Sequence, residues 1–154
     1  MGVHITVAAH TKSSRVEAAQ AAVAKYSGKP LVWGGSDCVR MAAFVARRLG
    51  HKPRLARFGQ YTTEAAAKAA LARRGYSDVG DAIDDMGFER IPAASALVAD
   101  ILAFPPTEPG GITALAAYLG NGRVLGLHEG SGVFAVLQPR LSIETGLSAW
   151  AWRL

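Results

Sequence analysis

At Ile91 the chain changes character, and that change limits the folds open to it more than any other feature. Before it, alanine-rich stretches with helical spacing are separated by cap residues. After it come short apolar runs, "ADILAFP", "ITALAAYLG", "RVLGLHEG" and "GVFAVLQP", divided by turn signals, notably Asn121-Gly122 and Gly130-Ser131-Gly132. Helices in one half and strands in the other describe an α+β domain, N-terminal helices packed on a C-terminal antiparallel sheet, rather than alternating βαβ units. Four or five antiparallel strands are expected. The final run, "SAWAWRL", alternates bulky and small residues and reads as another strand, with Trp150 and Trp152 sharing a face.

The helix ends are legible. Ser14 and Glu17 make a capping box ahead of "VEAAQAAVAKYSG", which stops near Gly28 and Pro30. A second helix starts at Ser36 or Asp37, runs through "CVRMAAFVARRL" to Gly50, and sets two arginines against the negative end of its dipole. Val39, Ala42, Ala43, Val45 and Ala46 make it the central helix. A third follows Thr62 or Thr63, with Glu64 in its first turn, and a short acidic helix, "DVGDAIDDMG", comes after it.

At 154 residues, half of them hydrophobic, the chain suits a single domain over 1–154 with a full core. Its one cysteine cannot form an internal disulfide, which sets aside the disulfide-scaffold class and suits a reducing cytoplasm. The stretch "MGVHITVAAHTKSSR" lacks the basic leader and sustained apolar core of a signal peptide, and no apolar run is long enough for a membrane span. Seventeen Lys and Arg against twelve Asp and Glu give +5, with the basic residues scattered and not interleaved with aromatic ones, so nucleic acid is not an expected partner. One cluster, "ARRLGHKPRLAR" over residues 46–57, groups Arg47, Arg48, Lys52, Arg54 and Arg57 around His51. Phosphates, an acidic neighbouring subunit and plain water are its three readings, and water ranks first.

No metal or cofactor is expected. His4, His10 and His51 lack ligand spacing and suit the surface. Asp78, Asp81, Asp84 and Asp85 do not follow the calcium-loop pattern and lack its closing glutamate, so they read as a solvated helix face. Trp33 is expected to pack against the central helix, while Trp150 and Trp152 suit a subunit interface, where aromatic residues are enriched.

The single cysteine, Cys38, stands just after a Trp-Gly-Gly turn at the first turn of the central helix. A thiol there meets the positive end of the dipole and unpaired N–H groups, which lowers its pKa and favours the thiolate. Cysteine hydrolases add a histidine to take the proton and a polar group to orient it. The competing reading is a small apolar residue packed under the helix. Asp37 is most simply an N-cap, and Asp100 a strand-end group bonding the backbone rather than a catalytic acid.

"GKPLVWGGSDCVRMAAF" resembles the nucleophile segment of the NlpC-type papain-like cell-wall peptidases, where a Gly-Gly turn leads to an Asp-Cys pair opening a helix. "ADILAFP" is similar to that family's following strand, and "ITALAAYLGNGRVLGLHEGSGV" to its two-strand histidine segment. The resemblance implies a papain-like NlpC-type core, with Cys38 at the nucleophile position and His128 close to the orienting position. The family's base stands six residues before the glycine that opens the hairpin turn, which here is Ala114; the tyrosine before Trp-Gly-Gly is matched by Leu31, and the loop from Gly35 to Asp37 is short. His128 is then the one histidine suited to serve as a partner for Cys38.

That combination, with the Ala-Trp-Arg run near the C-terminus, is similar to small phage and prophage tail proteins that lack the catalytic histidine. The resemblance implies a structural or assembly protein of a tail tip, made in the bacterial host cytoplasm, incorporated in the virion tail and contacting hub or distal-tail proteins. The alternative is an active cysteine peptidase or amidase cutting peptidoglycan peptides with Cys38 and His128. A third reading is a module that recognises a peptide without cutting it.

Overall fold

Thr11, rather than Ser14, opens the first helix of the computed structural model, which describes residues 10–55, 59–106, 108–139 and 150–154. Helix α1 (Lys12–Tyr26) begins with the Thr11 side chain accepting from the Ser14 N–H, so the expected cap sits three residues inside the helix. Both residues are good cap types, and tertiary structure decides between them. Arg15 lies on the same helical face as Ala18, Ala19 and Ala22, all buried, and its guanidinium reaches the core side.

The other helices start where their cap residues indicate. Helix α2 (Cys38–Arg48) is capped by Asp37, α3 (Glu64–Arg73) by Thr63, and α4 (Val79–Asp85) by Asp78 in a capping box closed by Asp81. Helix α2 is the central one: Met41 and Val45 are fully buried between α1 and the sheet.

Six strands form one antiparallel sheet: β1 (Glu89–Ile91), β2 (Ile101–Phe104), β3 (Ala114–Gly120), β4 (Arg123–His128), β5 (Val133–Leu137) and β6 (Trp150–Arg153), in the order β1-β6-β2-β3-β4-β5. Four of the five strands expected after Ile91 are consecutive neighbours. The last, β6, does not close an edge but inserts between β1 and β2. Strand β1 has no sequence signal of its own, since Glu89 and Arg90 are charged and exposed; it exists as the edge partner of β6. The β3–β4 turn is the expected Asn121-Gly122 pair, both at positive φ (54° and 73°), the left-handed conformation that a two-residue hairpin turn requires.

Both faces of the sheet are covered in its centre, which explains the unbroken apolar runs of β2 and β3. Ile101, Ala103, Leu115, Ala117, Leu125, Phe134 and Trp152 face α1 and α2. Leu102, Ala116, Val124 and Ala151 make a smaller cluster on the reverse face with Phe104, Tyr118 and Leu137.

Asp100 ties these layers together. Fully buried, it accepts from Arg15 at 3.0 Å and Arg153 at 2.8 Å, and from the main-chain N–H groups of Leu97 and Leu154 at 2.8 and 3.0 Å. The backbone-bonding role expected for it is present, and two arginines complete it. Every oxygen is satisfied, which is the condition for burying a carboxylate at all.

Two expectations fail here for one reason, the packing of α4 against β6. Trp152 is fully buried and donates its indole N–H to Asp84 at 2.9 Å, so it is core and not an interface anchor. Trp150 meets it edge-on, with ring centroids 5.6 Å apart, and the Arg90 guanidinium lies 4.4 Å over the Trp150 ring. The acidic segment is likewise more than a solvated face. Asp78 accepts from the Thr113 N–H at 3.1 Å, Asp81 accepts from Ser77, and Asp84 takes a forked bond from Arg90 that helps hold its carboxyl below the usual range.

Candidate functional site

The Trp33-Gly34-Gly35 turn can be built in only one way. Gly34 has φ +78°, and a Cβ there would stand 2.0 Å from the Tyr61 carbonyl oxygen. Glycine is required both by conformation and by the closeness of that strand of backbone. The turn delivers Asp37 to the N-cap position of α2, where the carboxylate is almost wholly buried. It accepts from the main-chain N–H groups of Arg40 (2.8 Å) and Gly34 (3.0 Å), from the Arg40 guanidinium (3.0 Å) and from the Tyr61 hydroxyl (3.1 Å). Arg40 also donates to the Tyr61 oxygen at 2.8 Å. Burial, reinforced by the charge of Asp37, pushes the Tyr61 phenol up to about 12. Tyr61 therefore donates to Asp37 at any ordinary pH.

Cys38 follows directly, half-buried in the first turn of α2. The helix N-terminus does not lower its pKa on balance. Burial pushes the thiol up to about 11; the Leu115 main-chain N–H opposes the rise, and the adjacent Asp37 carboxylate adds to it. The expectation of a depressed value is thus corrected. Dipole and amide effects are worth a fraction of the cost of placing a thiolate in apolar surroundings next to a carboxylate.

A cleft of about 560 Å³ opens beside the thiol, lined by Trp33, Phe104, Ile112, Leu127 and, from β3 and β4, Ala114 and His128. Its floor is made of small residues: a Cβ added at Gly126 would sit 3.2 Å from that of Ala116. The register of β3 and β4 pairs Ala117 with Leu125 and Tyr118 with Val124, and continuing it to the start of β3 sets Ala114 opposite His128. Cys38 and His128 thus line one cleft, together with the methyl group of Ala114. The His128 ring is turned toward its own β4–β5 turn, with Nδ1 3.2 Å from the Ser131 hydroxyl and the ring edge over Gly130. Among the described residues no hydrogen bond joins it to Cys38.

Sequence reasoning missed Arg40 and Tyr61. Arg40 had a signal, lying three residues after an N-cap aspartate, within reach of its carboxylate. Tyr61 had none, since it arrives from 24 residues away.

The sequence matches, over residues 12–150, a protein family described as "Domain of unknown function (DUF6950)". The chain belongs to this family. No curated protein matches it. Among solved structures it is similar to an NlpC/P60 family protein from Bacillus cereus ATCC 10987, with a TM-score of 0.57 and 13% identity over 94% of this chain and 40% of that one. It is also similar to NlpC2 from Trichomonas vaginalis, with a TM-score of 0.55 and 16% identity over 96% of this chain and 50% of that one. The NlpC/p60 domain of the peptidoglycan hydrolase SagA gives 0.52 and 20%, over 94% of this chain and all of that one. The chain spans 40% and 50% of the length of the first two. At these identities the likeness is one of fold, and the fold of this chain is NlpC/P60-like.

The remaining histidines do not join the cleft. His4 lies outside the described residues. His10 and His51 are half-buried rather than superficial, meeting edge-on at 5.5 Å, with His51 also against Phe88 at 4.9 Å. Burial, and then His10, holds the His51 imidazole below its ordinary pKa.

Proposed function

We propose that this chain is a non-hydrolytic structural or assembly component of a phage tail tip, made in the bacterial host cytoplasm and built into the virion tail against hub or distal-tail proteins. The tail assignment rests on the resemblance of the Trp33 to Cys38 turn and the Ala151-Trp152-Arg153 run to small tail proteins. The non-hydrolytic part is supported by Ala114 at the position where the resemblance expects the base, in the same cleft as a thiol whose pKa burial raises. The burial that pushes the thiol up to about 11 works against a thiolate at pH 7. Loss of the general base costs about two to four powers of ten in rate besides. The experiment is mass spectrometry of purified tails together with digestion of soluble cell-wall muropeptides. The chain is expected in the tails at fixed stoichiometry, with no turnover that depends on Cys38. Virions free of the protein would remove the tail assignment.

A second reading, a cysteine peptidase or amidase acting on peptidoglycan peptides, draws on the presence of Cys38 and His128 in one cleft. It predicts turnover abolished by Cys38→Ser and by His128→Ala. It also predicts an alkylation midpoint for Cys38 well below about 8.5, the ordinary thiol value, that climbs in the His128 variant. The non-hydrolytic reading expects a high midpoint indifferent to His128.

A further inference from the structure

On the side of α2 away from the cleft, cations gather around a second hollow. Arg40, Phe44 and Arg47 follow one another at i, i+4 and i+7, so they form a single stripe along the helix. Facing them are Lys25, from the last turn of α1, and Lys29, from the turn that follows. The ammonium groups of Lys25 and Lys29 each lie 5.8 Å from the centroid of the buried Tyr26 ring, and Lys25 is also 4.6 Å from the centroid of Phe44. Together these residues line a hollow of about 510 Å³.

Among the described residues no acidic side chain lines it. Asp37, the carboxylate paired with Arg40, is committed to that guanidinium, to Tyr61 and to two main-chain N–H groups. Lys25 and Arg47 each have a local reason to be where they are, since a cation in a helix's last turn complements its dipole. That reason does not explain why the two helices turn their cations toward each other across one hollow, with Lys29 and Arg40 added. Like charges held together repel, and a bound anion relieves the repulsion.

We propose that this hollow is a binding site for a multiply charged phosphate group, of the di- or triphosphate type. Its donors approach from two walls. A planar carboxylate presents two oxygens in one plane, whereas a tetrahedral phosphate accepts from several directions and carries the greater charge. The rings of Tyr26 and Phe44 hold the lysine heads in place by their π faces, which limits the ordering needed on binding. Burial, and then the charge of Asp37, raises the pKa of the Tyr26 phenol, with Arg40 and Arg47 opposing the rise; both arginines line the hollow together with Tyr26.

The test is calorimetric titration of the full chain with sodium pyrophosphate at pH 7 and low salt, with citrate as a carboxylate of closely similar charge. Saturable binding at one site per chain is expected, tighter than citrate and weakened by added salt. The double variant Lys25→Ala/Lys29→Ala is expected to bind at least about tenfold more weakly, from the loss of charge-assisted hydrogen bonds. Both lysines are exposed, so its melting temperature should match that of the parent. Arg73→Ala, in the last turn of α3, should leave binding unchanged. Absence of saturation, equal affinity for citrate, or indifference to the lysine substitutions would each overturn the assignment.

Discussion

Two buried aspartates divide the work of this molecule. Asp100 and Asp37 are both nearly solvent-free, and both accept two main-chain N–H groups as well as arginine. They differ in where their partners come from. Arg15 and Arg153 reach Asp100 from 85 and 53 residues away, joining α1, the start of β2 and β6. Three of the four groups on Asp37 come from within three residues, and only Tyr61 is distant. The first carboxylate therefore closes the tertiary structure, while the second shapes a turn and sets the electrostatics beside a thiol.

Breaking the comparison begins with Asp100→Ala. It leaves the Arg15 guanidinium buried without its counter-charge, and removal of one partner from a buried ion pair costs about 3–5 kcal/mol. Chemical denaturation should show a loss of that order, and a loss under about 1 kcal/mol would mean that Asp100 is not the clasp described. Next in size is Gly34→Ala, where a methyl group meets the Tyr61 carbonyl and the backbone remains at positive φ. A loss of about 1–3 kcal/mol is expected, with the cleft disturbed along with the turn.

Asp37→Asn sharpens the difference rather than breaking it. The amide oxygen can still accept the cap N–H of Arg40, but the amide NH2 then faces the donors of Gly34, Arg40 and Tyr61, so a loss of about 1–3 kcal/mol is expected, below that of Asp100→Ala because Arg40 is partly exposed to solvent. Removal of the negative charge should lower the Cys38 alkylation midpoint from its place near 11, while burial keeps it above the ordinary thiol value. A midpoint that does not move would show that the Asp37 charge is not felt at the sulfur.

The smallest effect concerns His51, which belongs to neither aspartate. Its folded-state pKa lies below the unfolded value of about 6.5, so the unfolded chain binds the proton more readily. The stability this represents is present above about pH 6.5 and is lost as pH falls through the folded-state value. Melting temperatures at pH 7.5 and 5.5 should therefore differ less for His51→Gln than for the parent. An unchanged difference would assign the pH dependence to other groups.

Much of the fold was legible because its signals are local. Thr63, Asp37 and Asp78 are cap residues placed just before helical runs, and Asn121-Gly122 supplies the positive φ values its hairpin turn needs. The alternation in "SAWAWRL" likewise marked β6 as a strand. Where two local signals competed, sequence had no means to decide: Thr11 and Ser14 are both competent caps, and the folded chain uses Thr11. Strand β1 has no signal at all, because charged Glu89 and Arg90 become strand only when β6 pairs with them.

By itself the sequence determined the α+β layout, the placement of Cys38 at the head of the central helix, and the alanine at the start of β3, because each depends on neighbours a few residues apart. Only the tertiary structure decided that the thiol stays protonated, that Tyr61 and Arg40 share Asp37, and that cations from α1 and α2 face one hollow. Desolvation and Coulomb interactions act through space, and the distances that govern them do not exist until the chain has folded.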